Sequence, residues 1–401
     1  MEGNKQPTRR LVMCFDGTWN SVESRTNVSR LYETILDQAP DKGNQLKFYD
    51  EGVGRAAEAT TPWTRLKDGL QGGIFGDGIL RNVLQAYCWL IEHYKHASEG
   101  SLSDLYIFGF SRGAFTARLF AGLLGASGIL KREEVAKCGN VVWDNKLVQA
   151  AWKRYKPGRS AWRATAQLTR DEHKDWEKVA HPALVKFLGV WDTVGRYGIP
   201  TLSWGSGFFK PIRFNDCSLG RHVLHARHAM AIDENRADFN VRLWDGVNST
   251  WSSDHIKELP ETTIRQQWFA GAHAQVGGGY ENDQLCHYPL QWMADQASAV
   301  GLGLMYVGPT DKPMFRLAPL VRDHLVPIID SHSEFAFGLY RWISDPLIRQ
   351  IRIGTVAGDG FAMEIGIDDS VFRKVLGDSA YRPVNLYHQG RLDLHAISDR
   401  S

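Results

Sequence analysis

Apolar positions along the chain follow two patterns. Four short segments, Leu11–Phe15, Asp104–Phe110, Ala183–Trp191 and Gln267–Ala272, are nearly continuous apolar runs that end in small or polar residues. Runs of that length suit strands of a parallel sheet covered on both faces. Between them the spacing becomes helical. Val83, Ala86, Tyr87, Leu90 and Ile91 share one face of Asn82–His93, and Phe115, Leu119 and Leu123 do so in Ala114–Leu124. Strand and helix alternate, which predicts an α/β fold with a mostly parallel sheet flanked by helices.

Two stretches interrupt the alternation. Glu51–Gly78 holds seven glycines and reads as a long mobile loop. Lys131–His181, rich in Trp, Lys, Arg and Glu, reads as helical with a break at Pro157-Gly158. Its place after the helix that follows Ser111 suits a cap or lid inserted on the core. From about Asp311 short apolar runs mix with many charges, and the pattern predicts no topology. The expected organisation is a catalytic domain over 9–305, including the insertion at 131–181, and a C-terminal extension over 306–401 packed on that core.

Composition narrows the picture modestly. The 401 residues are 43% hydrophobic and 23% charged, which predicts an ordinary buried core. With 47 basic against 45 acidic residues the net charge is +2, so nothing points to nucleic acid as a partner. The cysteines, Cys14, Cys88, Cys138, Cys217 and Cys286, are scattered and form no C-x-x-C pair. That argues against a disulfide framework or zinc knuckle and suits a reducing compartment. The polar segment Met1–Arg10 leads directly into the first strand-like run without a secretory signal. The longest apolar stretch, Leu119–Leu130, is too short to span a bilayer. A soluble cytoplasmic protein is therefore expected, with any export by a signal-independent route.

The chemistry concentrates at Gly109-Phe110-Ser111-Arg112-Gly113. A G-x-S-x-G run between strand and helix forms a turn so tight that glycine is needed on both sides, and it lifts the serine above the sheet edge. Here Leu105-Tyr106-Ile107-Phe108 supplies the strand and Ala114–Leu119 opens the helix, the context expected of an α/β-hydrolase. A serine hydroxyl is a weak nucleophile without a base, and the base needs an orienting acid. In this fold the order is Ser, acid, His, each beyond the C-terminal end of a strand. Asp192 follows Phe187–Trp191, and His273 follows Trp268–Ala272 ahead of Gln275-Val276-Gly277-Gly278-Gly279. Taken singly, an Asp at that position reads equally as a turn or cap residue, and a lone His as structural. In the right order they make a candidate triad. Backbone N–H groups of Arg112 and of Gly17 or Thr18, in the loop after the first strand, are the expected oxyanion donors; a plain turn capped by Asp16 is the alternative.

Two other signals point elsewhere. His222, His225 and His228 lie three apart, as on one helix face, and with Asp233 and Glu234 they outline a metal site on paper. No H-E-x-x-H signature accompanies them, so packing or surface roles are preferred; His228 is the reserve candidate for the base. Asp16-Gly17-Thr18 resembles the haloacid-dehalogenase phosphatase signature, but that chemistry needs Asp where this chain has Cys14. Hydrolysis by the triad needs neither metal nor cofactor.

Several long motifs together resemble a known family: FDGTWN (15–20), TNV (26–28), YDEGVG (49–54), GFSRGAFTAR (109–118), LGVWDTVG (188–195), ARHAMAIDENR (226–236) and WFAGAHAQVGGGY (268–280). They are similar to the DUF2235 family, whose best-understood members are Tle1-type phospholipase effectors of type VI secretion systems. The resemblance covers roughly 9–305, with a weaker echo at Tyr381–Leu386. It implies an α/β-hydrolase with Ser111, Asp192 and His273 as triad. One departure is Gln275, where the family's His-x-Asp-Val-Gly-Gly-Gly run is expected to carry Asp; two residues from His273, it is expected to alter hydrogen bonding or pKa around the base. Arg118, two turns beyond Ser111, is expected to fix the sheet edge, or else to help bind a phosphate head group. The implied function is a lipase or phospholipase acting on acyl esters, with transient membrane-surface contact. A soluble esterase or amidase on small polar substrates, and a non-catalytic binding member of the fold, stand as alternatives.

Overall fold

The computed structural model describes residues 8–17, 24–52, 73–96, 103–155, 170–194, 218–248, 260–280, 284–305, 325–334, 345–388 and 391–392. Eight strands form one sheet: β1 (Arg9–Phe15), β2 (Gln45–Asp50), β3 (Ser103–Phe110), β4 (Val185–Trp191), β5 (Val223–Ala231), β6 (Thr262–Phe269), β7 (Gly354–Gly358) and β8 (Phe361–Ile367). Their order is 7-8-6-5-4-3-1-2. Every neighbouring pair is parallel except β7 with β8, which is antiparallel. This is the mostly parallel α/β architecture expected.

Helices cover both faces. The principal ones are α1 (Asn27–Thr34), α2 (Gly73–His93), α3 (Arg112–Ser127), α4 (Arg132–Lys137), α5 (Lys146–Tyr155), α6 (Arg170–Val179), α7 (His273–Gly277), α8 (His287–Ala299) and α9 (Asp369–Gly377). β1 shows why the buried strands read as continuous apolar runs. Leu11, Met13 and Phe15 join one core with α2 and α3, while Val12 and Cys14 join a second core with α1 and α8. With both faces covered, the period-2 alternation of a strand loses its polar half.

Two readings of the pattern need correction. His222, His225 and His228 share no helix face: residues 223–231 are strand β5, on which residues three apart face opposite ways. The predicted Gln267–Ala272 strand begins five residues earlier, at Thr262. Its polar start is satisfied locally. Gln266 bonds Trp244 through the backbone N–H and carbonyl at 2.8 Å each, and Arg265 pairs with Glu364 of β8 at 3.5 Å.

The described part of the insertion at 131–181 is mainly helical, closing on a two-residue strand, Ala180–His181, that pairs with Ile129–Leu130, and 156–169 lies outside the described residues. Val135, Val148, Ala151 and Tyr155 join the α2–α3 core. Ser127 Oγ donates to Ala151 O, Arg154 Nε to Ala126 O, and Trp176 Nε1 to Ser127 O. All three anchors sit at the C-terminal end of α3, some 20 Å of helix from Ser111. These helices buttress the back of α3, so among the described residues they form no lid over Ser111. The glycine-rich stretch is likewise part helix: 73–78 belongs to α2, and 53–72 lies outside the described residues. In the C-terminal region, where no topology was predicted, β7 and β8 extend the main sheet. Ile351, Val371, Tyr381 and Leu386 pack against Met230 of β5, Ile232 just beyond it, and Trp268 of β6. No helix among the described residues is long and apolar enough to cross a membrane.

Candidate active site

Parallel strands put their C-terminal ends on one edge, and in an open α/β sheet ligands bind outside that edge. The register aligns these ends: Phe15 pairs with Gly109, Phe110 with Trp191, Trp191 with Ala229, and Ala231 with Phe269. The next residues in each segment therefore gather at the same edge, which brings Asp16, Ser111, Asp192, Glu234 and His273 together.

Ser111 sits at the turn from β3 into α3, with φ 58° and ψ −119°. That left-handed conformation is costly for a residue with a Cβ and persists only where the surroundings enforce it. The two glycines of the motif supply the enforcement. A Cβ on Gly109 would lie 2.5 Å from the carbonyl oxygen of Gly113, and one on Gly113 would collide with the carbonyls of Phe15 and Asp16. The turn is thus pressed directly on the end of β1. Asp192, immediately beyond β4, also has a positive φ, 37°.

Ser111 Oγ lies 2.7 Å from His273 Nε2, and His273 Nδ1 lies 2.5 Å from Asp192 Oδ2. An ionised carboxylate only accepts, so Nδ1 carries the proton and Nε2 is left to accept from the serine hydroxyl. His273 is 5% exposed. Phe110 is tilted beside it, with ring centres 4.8 Å apart, and Phe239 meets it edge-on at 5.1 Å.

Asp192 has no solvent exposure, and burial alone would raise its pKa. The opposing charge and hydrogen bonds of Arg349 and His273 win and hold it well below the usual carboxylate range. Its Oδ1 accepts from Ala231 N at 3.0 Å and Arg349 Nη1 at 2.7 Å; Oδ2 accepts from Arg349 Nη2 at 3.0 Å as well as from His273. For His273 the net shift is downward: burial, the largest cause, together with the nearby Arg236 charge outweighs the pull of Asp192 and Glu234, so the neutral imidazole is favoured.

Glu234 holds the start of α7. Its Oε2 accepts from the backbone N–H of His273 at 3.1 Å, while Arg236 Nε, Arg236 N and Ser331 Oγ donate to Oε1. Burial pushes the Glu234 pKa up, and the pairing with Arg236 more than offsets this. The guanidinium of Arg236 lies 3.5 Å over the Phe239 ring, the same ring that meets the imidazole.

The expected oxyanion donors are partly within view. Arg112 N is at the first position of α3, where helix geometry provides no i−4 acceptor. Gly17 N–H donates to Asp16 Oδ1 at 2.6 Å, and Thr18 lies outside the described residues. Asp16 Oδ2 accepts from Thr26 Oγ1 at 2.5 Å and Tyr49 OH at 2.6 Å, so Asp16 braces the loop against α1 and β2.

Gln275 does not act on the imidazole directly. Its Oε1 accepts from Ala272 N and Ile329 N, and its Nε2 donates to Pro327 O. It ties the start of α7 to the segment around residue 328. Arg118 Nη1 donates to Arg242 O at 2.5 Å and the guanidinium lies 4.9 Å over Trp244, which joins α3 to that loop.

The three histidines of the paper metal site have separate partners. His222 Nε2 meets Ala121 O, and His225 Nδ1 meets Thr263 Oγ1. His228 Nε2 accepts from Thr193 N, and burial lowers the pKa of His228 to about 3. Asp233 accepts from Gly271 N and Tyr381 OH. Among the described residues no group of three metal-ligating side chains converges.

One residue of the site escaped the sequence reading altogether. Arg349, from the C-terminal region, is 2% exposed and grips both oxygens of Asp192. The only local hint is the mixed run Leu347–Ile353 (LIRQIRI), where Arg349, Gln350 and Arg352 stand among four apolar residues.

A family model described as the catalytic domain of Tle1-like type VI secretion system phospholipase effectors matches residues 9–296. An uncharacterized protein of Saccharomyces cerevisiae, YEL023C, is 24% identical over 241 residues, covering 58% of this chain and 32% of that protein. Two solved structures are similar at low scores. An uncharacterized protein from Pseudomonas aeruginosa has a TM-score of 0.35 and 16% identity, covering 74% of this chain and 46% of that one. The Tle1 effector bound to the VgrG spike of the type 6 secretion system has a TM-score of 0.30 and 17% identity, covering 70% and 53%. This chain thus spans about a third of the yeast protein and about half of each solved chain.

Proposed function

The chain belongs to the family of Tle1-like phospholipase effector catalytic domains, and from that premise we propose that it is a serine hydrolase cleaving carboxylic esters of phospholipids through an acyl-enzyme. The observation that carries this reading is the unbroken line from Ser111 Oγ through His273 to Asp192, at 2.7 and 2.5 Å. In the first step His273 Nε2 takes the hydroxyl proton as Ser111 Oγ bonds to the ester carbonyl carbon. The oxyanion is held by the Arg112 N–H and by Gly17 or Thr18, with Gly17 exchanging its bond to Asp16 for one to the substrate. Collapse breaks the bond to the alcohol, which leaves with the proton from His273. Water then attacks the acyl carbon, giving its proton to His273, and the free acid departs as Ser111 regains its hydrogen. Asp192 stays ionised and fixes the tautomer. A phospholipid substrate implies transient contact with a membrane surface.

The test is incubation of purified protein with phospholipid vesicles, an acylglycerol panel and short p-nitrophenyl esters, with released fatty acid followed by mass spectrometry. Fatty acid is expected from phospholipid, with Ser111→Ala at least about 1,000-fold slower. Cleavage of the short esters alone would instead favour an esterase on small substrates. Inertness of the wild type throughout would favour a binding member of the fold.

A further inference from the structure

We infer that Arg349 is a positioning residue of the reaction, clamping Asp192 in the orientation that aligns His273, so that a segment beyond the family-matched 9–296 completes the active site. This rests on the serine-hydrolase reading and deepens it. Nη1 and Nη2 donate in parallel to the two oxygens of Asp192, a fork geometry that fixes the carboxylate plane as well as its charge. The same two nitrogens donate onward to Ala231 O and Phe239 O. The guanidinium thereby links the end of β5, the triad acid and the segment whose Phe239 ring touches the imidazole.

The arginine is itself held. Leu347 N donates to Asn235 O at 2.7 Å, Pro346 bridges Arg236, and Trp268 Nε1 donates to Arg352 O at 3.0 Å. Ile351 is buried against Met230 and Trp268. These contacts make 346–352 a strap across the ends of β5 and β6. A triad needs its acid oriented but requires no cation on it. Placing one there neutralises Asp192 before the imidazolium forms, so the electrostatic help to that imidazolium is reduced while its geometry is fixed.

The charged groups around His273 set the sign of the pH effect. Asp192 and Arg349 lie on its Nδ1 side, Glu234 accepts its backbone N–H, Arg236 stacks on the Phe239 ring that meets the imidazole edge-on, and Asp233 accepts from Gly271 N just before it. Removing the Arg349 charge leaves the carboxylates in excess, which favours the imidazolium. The pH below which His273 is protonated must then rise.

The experiment measures the second-order rate constant of inactivation by a fluorophosphonate ester across the titration range of histidine. The proteins are wild type, Ser111→Ala, Arg349→Gln and Arg349→Lys, each corrected for its reactive fraction. Arg349→Gln is expected to react about 100-fold more slowly, the cost of misplacing a catalytic group by roughly an ångström, with its acid midpoint moved to higher pH. Arg349→Lys, which keeps the charge but not the fork, is expected to regain part of the rate and keep a midpoint near wild type. A merely structural arginine would lower the reactive fraction alone. A rate constant for Arg349→Gln within about threefold of wild type, or an unmoved midpoint, would overturn the proposal. Should Arg349→Gln yield no folded protein, Arg349→Lys decides: a loss of about tenfold is expected, and a wild-type rate constant overturns the clamp. Failure of the wild type to react, or equal reaction of Ser111→Ala, would strike the serine-hydrolase reading itself, so the two failures are distinct.

Discussion

At the scale of single residues, the candidate site is a balance of buried charges. Asp192 and Glu234 are carboxylates with almost no exposure, and Arg349 and Arg236 answer them in bidentate geometry. Breaking a buried pair from one side leaves an uncompensated charge, which makes each member indispensable to the others. The balance favours a neutral His273, because burial and the Arg236 charge together outweigh the pull of Asp192 and Glu234 on its proton. A base must be neutral to act, and a lowered pKa keeps it neutral to lower pH. The acid limb of kcat/KM is therefore expected below the ordinary histidine value of about 6.5. A pH profile on a soluble ester measures this, and a midpoint above about 7 would contradict it. Ser111 was legible in the sequence because its requirements are local: two glycines two residues away on either side, forced by contacts with one another and with β1. Arg349 was not legible, since its partner lies 157 residues earlier in the chain and no spacing rule joins them.

At the scale of elements, legibility followed how a strand satisfies its polar atoms. β1, β3 and β4 are covered on both faces and announce themselves as apolar runs. β5 hides behind His225, Arg227 and His228, whose rings and guanidinium find partners on β6 and in the turn after β4. β2 hides because it borders the sheet, where Lys47 reaches the carbonyls of Tyr32 and Ile35 at the end of α1. The same principle gives a test away from the candidate triad. Asn27, at the start of α1, donates from Nδ2 to Val276 O at 2.9 Å and Cys286 O at 2.8 Å, joining α1 to the end of α7 and the start of α8. Asn27→Ala leaves both buried carbonyls short of a donor, a loss of about 2 kcal/mol or more. Thermal unfolding should show a clearly lower Tm; an unchanged Tm would mean that other contacts set the position of α7.

At the scale of the whole molecule, the expected boundary near residue 305 runs through a single sheet. β8 pairs with β6 along its whole length, and the strap that carries Arg349 enters the site from the same region. The sequence alone offered mixed charges there because the segment covers only one end of the core, so few of its positions are fully buried. The expected lid at 131–181 was a matter of chain order, not contacts; its described helices brace α3 from behind. Both halves converge on one hydroxyl, and the most direct measurement is which residue a fluorophosphonate probe modifies. Peptide mass spectrometry of the labelled wild type should find the phosphonyl group on Ser111, with labelling lost in Ser111→Ala and in His273→Ala. A wild type that stays unlabelled, or a probe found on another residue with Ser111→Ala labelled equally, would contradict the account.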